Sequence, residues 1–105
     1  MKIINNNIKY EVKSCIKFKD RLLGFMFKKD INKVLCFPKC NSIHTFFMLK
    51  DIDVIMTDKD FKILYIFKNL KPFKIVLPKK NVYYTFETKS SLFNIKLNEK
   101  LDVKI

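Results

Sequence analysis

The sequence has a single glycine and no alanine, glutamine or tryptophan, and its apolar runs are short. No stretch approaches the ~18 consecutive apolar residues of a membrane-spanning helix, so membrane insertion is not expected. Residues 1–7 lack the apolar segment of a secretory signal. The cysteines number three, an odd count, which without an export signal predicts reduced thiols and not a disulfide framework. We therefore expect a cytoplasmic protein.

Four residue types dominate what is present. Lysine, isoleucine, phenylalanine and asparagine supply 21, 13, 11 and 9 of the 105 residues. Their codons can be built from A and T alone, so the composition indicates an AT-rich, bacterial genome that favours lysine and asparagine at surface positions. The formal net charge of +12 can attract nucleic acid. A compositional origin means that this charge does not by itself identify a nucleic-acid site.

The length of 105 residues is that of one domain, spanning 1–105. Short alternating or apolar runs predict a mainly β fold. Residues 52–57 and 61–70 flank a turn at 58–60 and predict a hairpin, and prolines on either side bound a strand at 75–77. Seven or eight short strands favour a single compact antiparallel β-barrel or sandwich. The remaining predicted strands are residues 8–16, 34–37, 83–88, 92–97 and 101–105.

One short helix is predicted near residues 18–26. Phe18, Leu22, Leu23 and Met26 recur at the spacing of a single helical face. Gly24 lies near the end of this segment, where it could form a C-cap or allow a close backbone approach.

Several motifs follow one another in the order seen in a known family. They are RLLGFM at 21–26, VLCF at 34–37, CNSIHTFFM at 40–48, IDVI at 52–55, YTFE at 84–87 and LDV at 101–103. On these residues the chain resembles the uncharacterised conserved proteins of domain of unknown function 192 (DUF192), from about residue 14 to 103. The resemblance implies a compact, mainly β domain with one short helix, and it implies no particular reaction. The chain departs from the family pattern at Phe25, where leucine is usual, at 49–51, where a proline often precedes the aspartate, and in lacking glycines near its end.

Arg21 and Asp53 are candidate partners of a ligand or of each other. Arg21 is the only arginine beside 21 lysines, and a planar guanidinium can form paired hydrogen bonds with a carboxylate or phosphate. Asp53 begins an apolar strand, where an acid needs a partner. Pairing with Arg21 or capping the turn at 41–45 would supply one. Either arrangement places Arg21, His44 and Asp53 near one another.

Cys36, Cys40 and His44 are spaced four residues apart, but Pro38 interrupts any continuous helix across them. A structural zinc site needs four ligands, and only Cys15 remains, so no metal or other cofactor is expected. Cys40 and His44 could form a nucleophile–base pair. No strained nucleophile turn and no glycine-lined oxyanion pocket accompanies them. A thiol enzyme is thus kept as an alternative only.

The leading hypothesis is a small binding module without enzymatic activity. A shallow polar pocket, closed by Phe46, Phe47 and Met48, is predicted to bind a small anion or the carboxylate of a peptide. The alternative partner is RNA or single-stranded DNA on a sheet face where lysines and aromatic rings alternate. That alternation is also the ordinary inside–outside pattern of a β-strand. The predicted ligand-binding residues are Arg21, Asn41, His44, Thr45, Lys50 and Asp53, with Cys40 as the candidate thiol.

Overall fold

The computed structural model describes residues 1–17, 24 and 33–105, and within these residues the chain forms nine strands in two sheets. The strands are β1 (Lys2–Asn5), β2 (Ile8–Ser14), β3 (Val34–Pro38), β4 (Ile43–His44), β5 (Ile52–Thr57), β6 (Ile63–Leu70), β7 (Ile75–Val76), β8 (Tyr84–Lys89) and β9 (Asp102–Lys104).

The larger sheet has seven strands in the order β6-β5-β8-β3-β2-β1-β9. β2 and β3 pair in parallel, whereas the other neighbouring strands are antiparallel. The sheet curls until the chain before β9 meets the start of β6. There Leu101 N donates to Phe61 O over 2.9 Å, and Ile63 N donates to Glu99 O over 2.8 Å. The result is a half-barrel, and β4 and β7 form a separate two-stranded sheet.

The central strands are buried because their side chains alternate between two apolar clusters. All six residues of β5 are buried. Val54 and Met56 of this strand belong to the first cluster, and Ile55 belongs to the second. The first cluster consists of Cys15, Leu35, Phe37, Met48, Ile52, Val54, Met56 and Val76. The second cluster consists of Ile3, Val12, Val34, Cys36, Ile55, Ile63, Phe86, Phe93 and Leu101.

Turn positions that commonly use glycine are occupied here by other residues. Asn6 and Asn7 connect β1 to β2 with φ angles of 51° and 65°, as a two-residue hairpin loop with positive φ at both positions requires. Asparagine tolerates this conformation better than most residues. Phe47, Phe61 and Phe73 also have positive φ, at 61°, 65° and 62°, which is unfavourable for a bulky side chain.

The prediction of a mainly β fold is confirmed, and seven of the eight predicted strands overlap an observed strand. The predicted strand at 92–97 is wrong. Phe93 is buried there, but Leu97 exposes 55% of its surface, and the chain just beyond 97 bonds to the start of β6. The prediction of an antiparallel sheet is wrong at one place, because β2 pairs with β3 in parallel. β1 and β4 were not predicted.

The predicted helix near 18–26 falls, apart from Gly24, outside the described residues. Gly24 lies in a turn with a φ of 46°. The described part of the chain contains no helix, so it lends no support to that prediction. Within the same residues there is also no helix long and apolar enough to cross a membrane.

Candidate functional site

Four rings form an exposed group beside the small sheet, here called the aromatic patch: His44, Phe46, Phe47 and Phe73. His44 stacks on Phe46, with ring centroids 5.2 Å apart and an angle of 27° between the planes. The Phe73 centroid lies 6.3 Å from that of Phe46 and 5.9 Å from that of Phe47. His44 of β4 pairs with Ile75 of β7. This pairing brings the chain after β4 alongside the chain before β7.

The aromatic patch is open to solvent. Phe73 exposes 63% of its surface and Phe47 exposes 50%. Ile75 and Leu77 follow Phe73 along the chain and expose 60% and 68%. Single exposed apolar side chains are ordinary, but a contiguous group of them is typical of a contact surface.

Thr45 joins the two chain segments that carry the rings. Its buried hydroxyl donates to Lys71 O over 2.6 Å and accepts from Lys74 N over 2.8 Å. Its backbone bonds the same turn, because Thr45 N donates to Lys74 O over 2.8 Å and Phe73 N donates to Thr45 O over 2.9 Å. The hydroxyl of this predicted ligand-binding residue is therefore engaged within the fold, where it positions the aromatic patch.

Two members of the aromatic patch have strained backbones. Phe47 and Phe73 lie in the left-handed region, which costs about 1–2 kcal/mol for an ordinary L-residue. Burial does not offset this cost, because half or more of each side chain is exposed. Strain of this kind persists where the surrounding structure fixes it, and it is frequent at binding sites.

The chain around the aromatic patch carries positive charge. Lys50 and Lys74 are exposed, and Lys71 Nζ pairs with Asp51 Oδ2 over 2.6 Å. Residues 43–51 and 71–77 together contain these three lysines and this one aspartate, so their formal charge is +2. The surface around the rings is thus suited to an acidic partner.

Asp53 is held by two backbone amides. Asn69 N donates to its Oδ1 over 2.8 Å, and Ser91 N donates to its Oδ2 over 2.9 Å. The expectation that Asp53 caps the turn at 41–45 is therefore wrong. Its buried carboxylate instead ties the ends of β6 and β8 to β5. Arg21, its other expected partner, lies outside the described residues.

The expected closure of a pocket by residues 46–48 is also not observed. Phe46 and Phe47 expose 36% and 50% of their surfaces, whereas Met48 is buried in the first cluster. Asn41 and Lys50 are exposed, and His44 is half-buried. As ligand contacts, the six predicted residues remain a prediction.

Cys40 and His44 are each bonded to other groups. Cys40 Sγ donates to Ser42 O over 3.1 Å, and His44 Nδ1 accepts from Phe46 N over 3.2 Å. Cys36 is fully buried, and burial raises the pKa of its thiol to about 12. Within residues 1–17, 24 and 33–105, no three potential metal ligands converge.

Glu87 is a candidate functional residue that sequence reasoning did not select. It is 3% exposed and lies in β8 between Leu35 and Val54. Its Oε1 is buried without a hydrogen-bond partner in the described part of the chain. Burial raises the pKa of the Glu87 carboxyl from 4.5 to about 8. The available signal was the glutamate of the YTFE motif at 84–87, since an acid in an otherwise apolar strand is costly to bury.

Two open clefts lie away from these residues. The first has a volume of about 460 Å³ and is lined by Met1, Lys2, Ile4, Lys9, Lys104 and Ile105. The second has a volume of about 440 Å³ and is lined by Phe61 and residues 100–104. Neither cleft contains a predicted ligand-binding residue.

The sequence is similar to those of uncharacterised UPF0127 proteins. A UPF0127 protein of Pyrococcus horikoshii is 42% identical over 82 residues, covering 73% of this chain and 70% of the relative. A UPF0127 protein of Thermococcus kodakarensis is 39% identical over 83 residues, covering 73% of this chain. The match covers 52% of that second relative, about half its length. Both relatives are archaeal, so they give no support to the expected bacterial source.

The chain has the fold of a solved structure, and its sequence matches a family model. The crystal structure of a protein of unknown function from Novosphingobium aromaticivorans superposes with a TM-score of 0.70 at 15% identity, covering 87% of this chain and 72% of that one. The model of DUF192, described as "Uncharacterized ACR", matches residues 1–103. The chain therefore belongs to the DUF192 family.

Proposed function

We propose that the protein is a binding module that holds an extended, acidic peptide segment on the aromatic patch. The observation that carries this proposal is the left-handed backbone of Phe47 and Phe73, whose rings are largely exposed. Of the eight other described non-glycine residues with positive φ, five are asparagine, for example Asn69 and Asn81. Two strained and exposed rings in contact with each other are explained by a contact made outside the chain.

A peptide fits the groups around the aromatic patch better than a small anion does. Ile75 and Leu77 add aliphatic surface to the rings, and a buried apolar centre with a polar rim is typical of protein interfaces. Lys50 and Lys74 offer exposed ammonium groups to carboxylates. Side chains of an extended peptide point alternately to opposite sides. Alternating apolar and acidic residues would therefore place one set on the rings and the other towards the lysines.

The predicted ligand-binding residues take different parts in this proposal. His44 and Lys50 contact the peptide directly. Thr45 and Asp53 act through the turns that they hold, because their side-chain oxygens are bonded to backbone groups. Arg21 is retained as a predicted contact for a peptide carboxylate, which its guanidinium can bind in a paired geometry.

The test exploits the fact that His44 is the only histidine. Selective ¹⁵N labelling of histidine places an NMR reporter within the aromatic patch. Three short peptides are titrated: aspartate–leucine repeats, lysine–leucine repeats and aspartate–serine repeats. The first should shift the His44 signals at the lowest concentration, because it alone supplies both apolar and acidic groups. Its affinity should fall moderately with added salt, since the lysine contribution is screened.

Phe73→Ser is the informative variant, and Leu97→Ser is its control. Leu97 lies outside the aromatic patch and exposes 55% of its surface, against 63% for Phe73. Loss of the central ring should weaken binding of the aspartate–leucine peptide by about tenfold or more. The control should bind as the wild type does. Equal binding of the aspartate–leucine and lysine–leucine peptides, or equal losses in the two variants, would refute the proposal.

Single-stranded RNA is the competing partner and is tested with oligouridylate. Two lysines that could join a stacking platform lie instead over tyrosine rings of the protein. Lys79 Nζ is 5.6 Å from the Tyr65 centroid, and Lys59 Nζ is 5.7 Å from the Tyr83 centroid. Oligouridylate should therefore leave the His44 signals unchanged. Shifts that vanish steeply with rising salt would make RNA the ligand and overturn the peptide proposal.

A further inference from the structure

Glu87 places a carboxyl group inside the apolar side of the larger sheet. Its strand, β8, is flanked by β3 and β5, and its register neighbours Leu35 and Val54 both belong to the first cluster. The side chain is 3% exposed, and its Oε1 has no hydrogen-bond partner among the residues that the structure describes. An unpartnered buried polar atom is rare in folded proteins, so it calls for an explanation.

The only glycine of the chain packs on this carboxyl. A Cβ atom built on Gly24 would lie 3.3 Å from Glu87 Oε1 and 3.5 Å from Phe37 Cζ. The first distance is tighter than ordinary van der Waals contact. Gly24 also has a φ of 46°, which a residue with a Cβ adopts at a cost. Residues from two separate sequence motifs therefore meet here, with Gly24 beside Oε1.

We propose that Glu87 is a buried proton-binding site that controls the docking of Gly24. Gly24 packs against the neutral carboxyl, and it is displaced when the carboxyl ionises. This inference is independent of the peptide-binding proposal, since Glu87 is not part of the aromatic patch.

Burial sets the pH range of this site. With the pKa of Glu87 raised from 4.5 to about 8 by desolvation, the carboxyl is neutral at pH 7 and ionises at mildly alkaline pH. A neutral carboxyl tolerates apolar neighbours far better than a carboxylate does.

The two register neighbours of Glu87, Leu35 and Val54, carry no charge that could hold it when ionised. Among the described residues, the titratable groups on this side of the sheet include the thiols of Cys15 in the first cluster and of Cys40 beside it, and Lys13, which is exposed and pairs with Leu35 in the row of β3 next to Glu87. Lys89 lies two residues further along β8, where it is exposed. No ion pair between described residues includes Glu87. On this proposal an ionised Glu87 acquires water, and hydration of Oε1 displaces Gly24, which lies beside it.

The single glycine makes the contact directly observable. Protein labelled with ¹⁵N only at glycine gives one backbone amide signal, that of Gly24. The signal is followed from mildly acidic to alkaline pH, across the value of about 8 expected for Glu87. We expect it to shift or broaden with that midpoint in the wild type. In Glu87→Gln the transition should be absent, because the amide cannot ionise.

Glu11→Gln is the matched control, since the Glu11 side chain is 80% exposed, and it should keep the transition of the wild type. A second measurement needs no variant. Selective ¹³C labelling of the three glutamate carboxyls, at positions 11, 87 and 99, reports the ionisation of Glu87 itself. One carboxyl and the Gly24 amide should titrate together in the wild type. A Gly24 signal that stays constant while Glu87 ionises, or that titrates equally in Glu87→Gln, overturns the proposal.

Discussion

Replacing Glu87 by glutamine should flatten the dependence of the unfolding free energy on pH and stabilise the protein at neutral pH. Burial holds the pKa of Glu87 at about 8 in the folded protein, whereas in the unfolded chain it returns to its ordinary value of 4.5. Between these two values the unfolded chain has released a proton that the folded protein still retains. Rising pH therefore favours unfolding, and this contribution disappears when the side chain cannot ionise.

The expected size of the effect follows from the pKa values. Each pKa unit corresponds to about 1.4 kcal/mol, so the rise from 4.5 to about 8 amounts to about 5 kcal/mol. Of this, about 3 kcal/mol is already lost at neutral pH. The stability associated with protonated Glu87 is complete below pH 4.5, declines as the pH rises, and is fully lost above about 8. Domains are stable by only about 5–15 kcal/mol, so a change of this size is readily measured.

The assay is urea unfolding of the wild type, Glu87→Gln and the surface control Glu11→Gln at a series of pH values. Burying the amide of glutamine has a cost of its own, but that cost does not vary with pH. The test is therefore how the difference in unfolding free energy between Glu87→Gln and the wild type grows with pH. If the unfolding free energies of the wild type and Glu87→Gln vary with pH in parallel, burial does not raise the pKa of the Glu87 carboxyl.

Three further substitutions test the site. Thr45→Val should lower the unfolding free energy by about 1–3 kcal/mol, because Lys74 N loses its hydroxyl acceptor. Thr45→Ser keeps the hydroxyl and should be nearer the wild type in urea unfolding. Equal losses of stability in the two variants would contradict the role of this hydrogen bond. Phe73→Gly should be more stable than Phe73→Ala by about 1–2 kcal/mol, since only glycine relieves the left-handed strain; equal melting temperatures would argue against strain. Asp53→Asn should destabilise by about 2 kcal/mol, because one of the two backbone amides that donate to the buried carboxylate loses its acceptor, whereas the exposed control Asp102→Asn should change little.

The hairpin of β5 and β6 was predictable because its information is local. Two apolar runs flank the turn at 58–60, and aspartate at the start of a turn can accept hydrogen bonds from the next residues. In the structure Asp58 Oδ1 accepts from Asp60 N over 2.9 Å and from Lys62 N over 3.0 Å. The prediction therefore needed nothing beyond this stretch of chain.

Strands that depend on distant partners could not be found in the same way. β4 is only two residues long, Ile43–His44, and exists as a strand because Ile43 pairs with Val76. The parallel pairing of β2 with β3 likewise joins two strands that are separated in the sequence by residues 15–33, most of which carry no strand pattern. No strand was predicted in the turn at 41–45, although Ile43–His44 forms part of the small sheet.

The polarity of the turn at 41–45 identified the neighbourhood of the candidate site but not the role of each residue. His44 and Thr45 are adjacent, yet His44 joins the aromatic patch while the Thr45 hydroxyl is used by Lys71 and Lys74. Phe73 was left out of the predicted site because the alternation of lysine and phenylalanine is equally typical of a strand with one buried side. Its exposure and its left-handed backbone depend on the turn that Thr45 holds.

Genome composition cannot explain phenylalanine at these two left-handed positions. Asparagine also has AT-only codons, and the chain uses it at five other positions of positive φ: Asn6, Asn7, Asn69, Asn81 and Asn98. Packing explains Phe61, whose half-buried ring stacks 4.6 Å from that of Tyr84, but Phe47 and Phe73 expose 50% and 63% of their surfaces. Places where local preference is violated are where function is expected. Strain at Phe47 and Phe73 thus argues for a partner on the aromatic patch more strongly than the positive charge of the whole chain does.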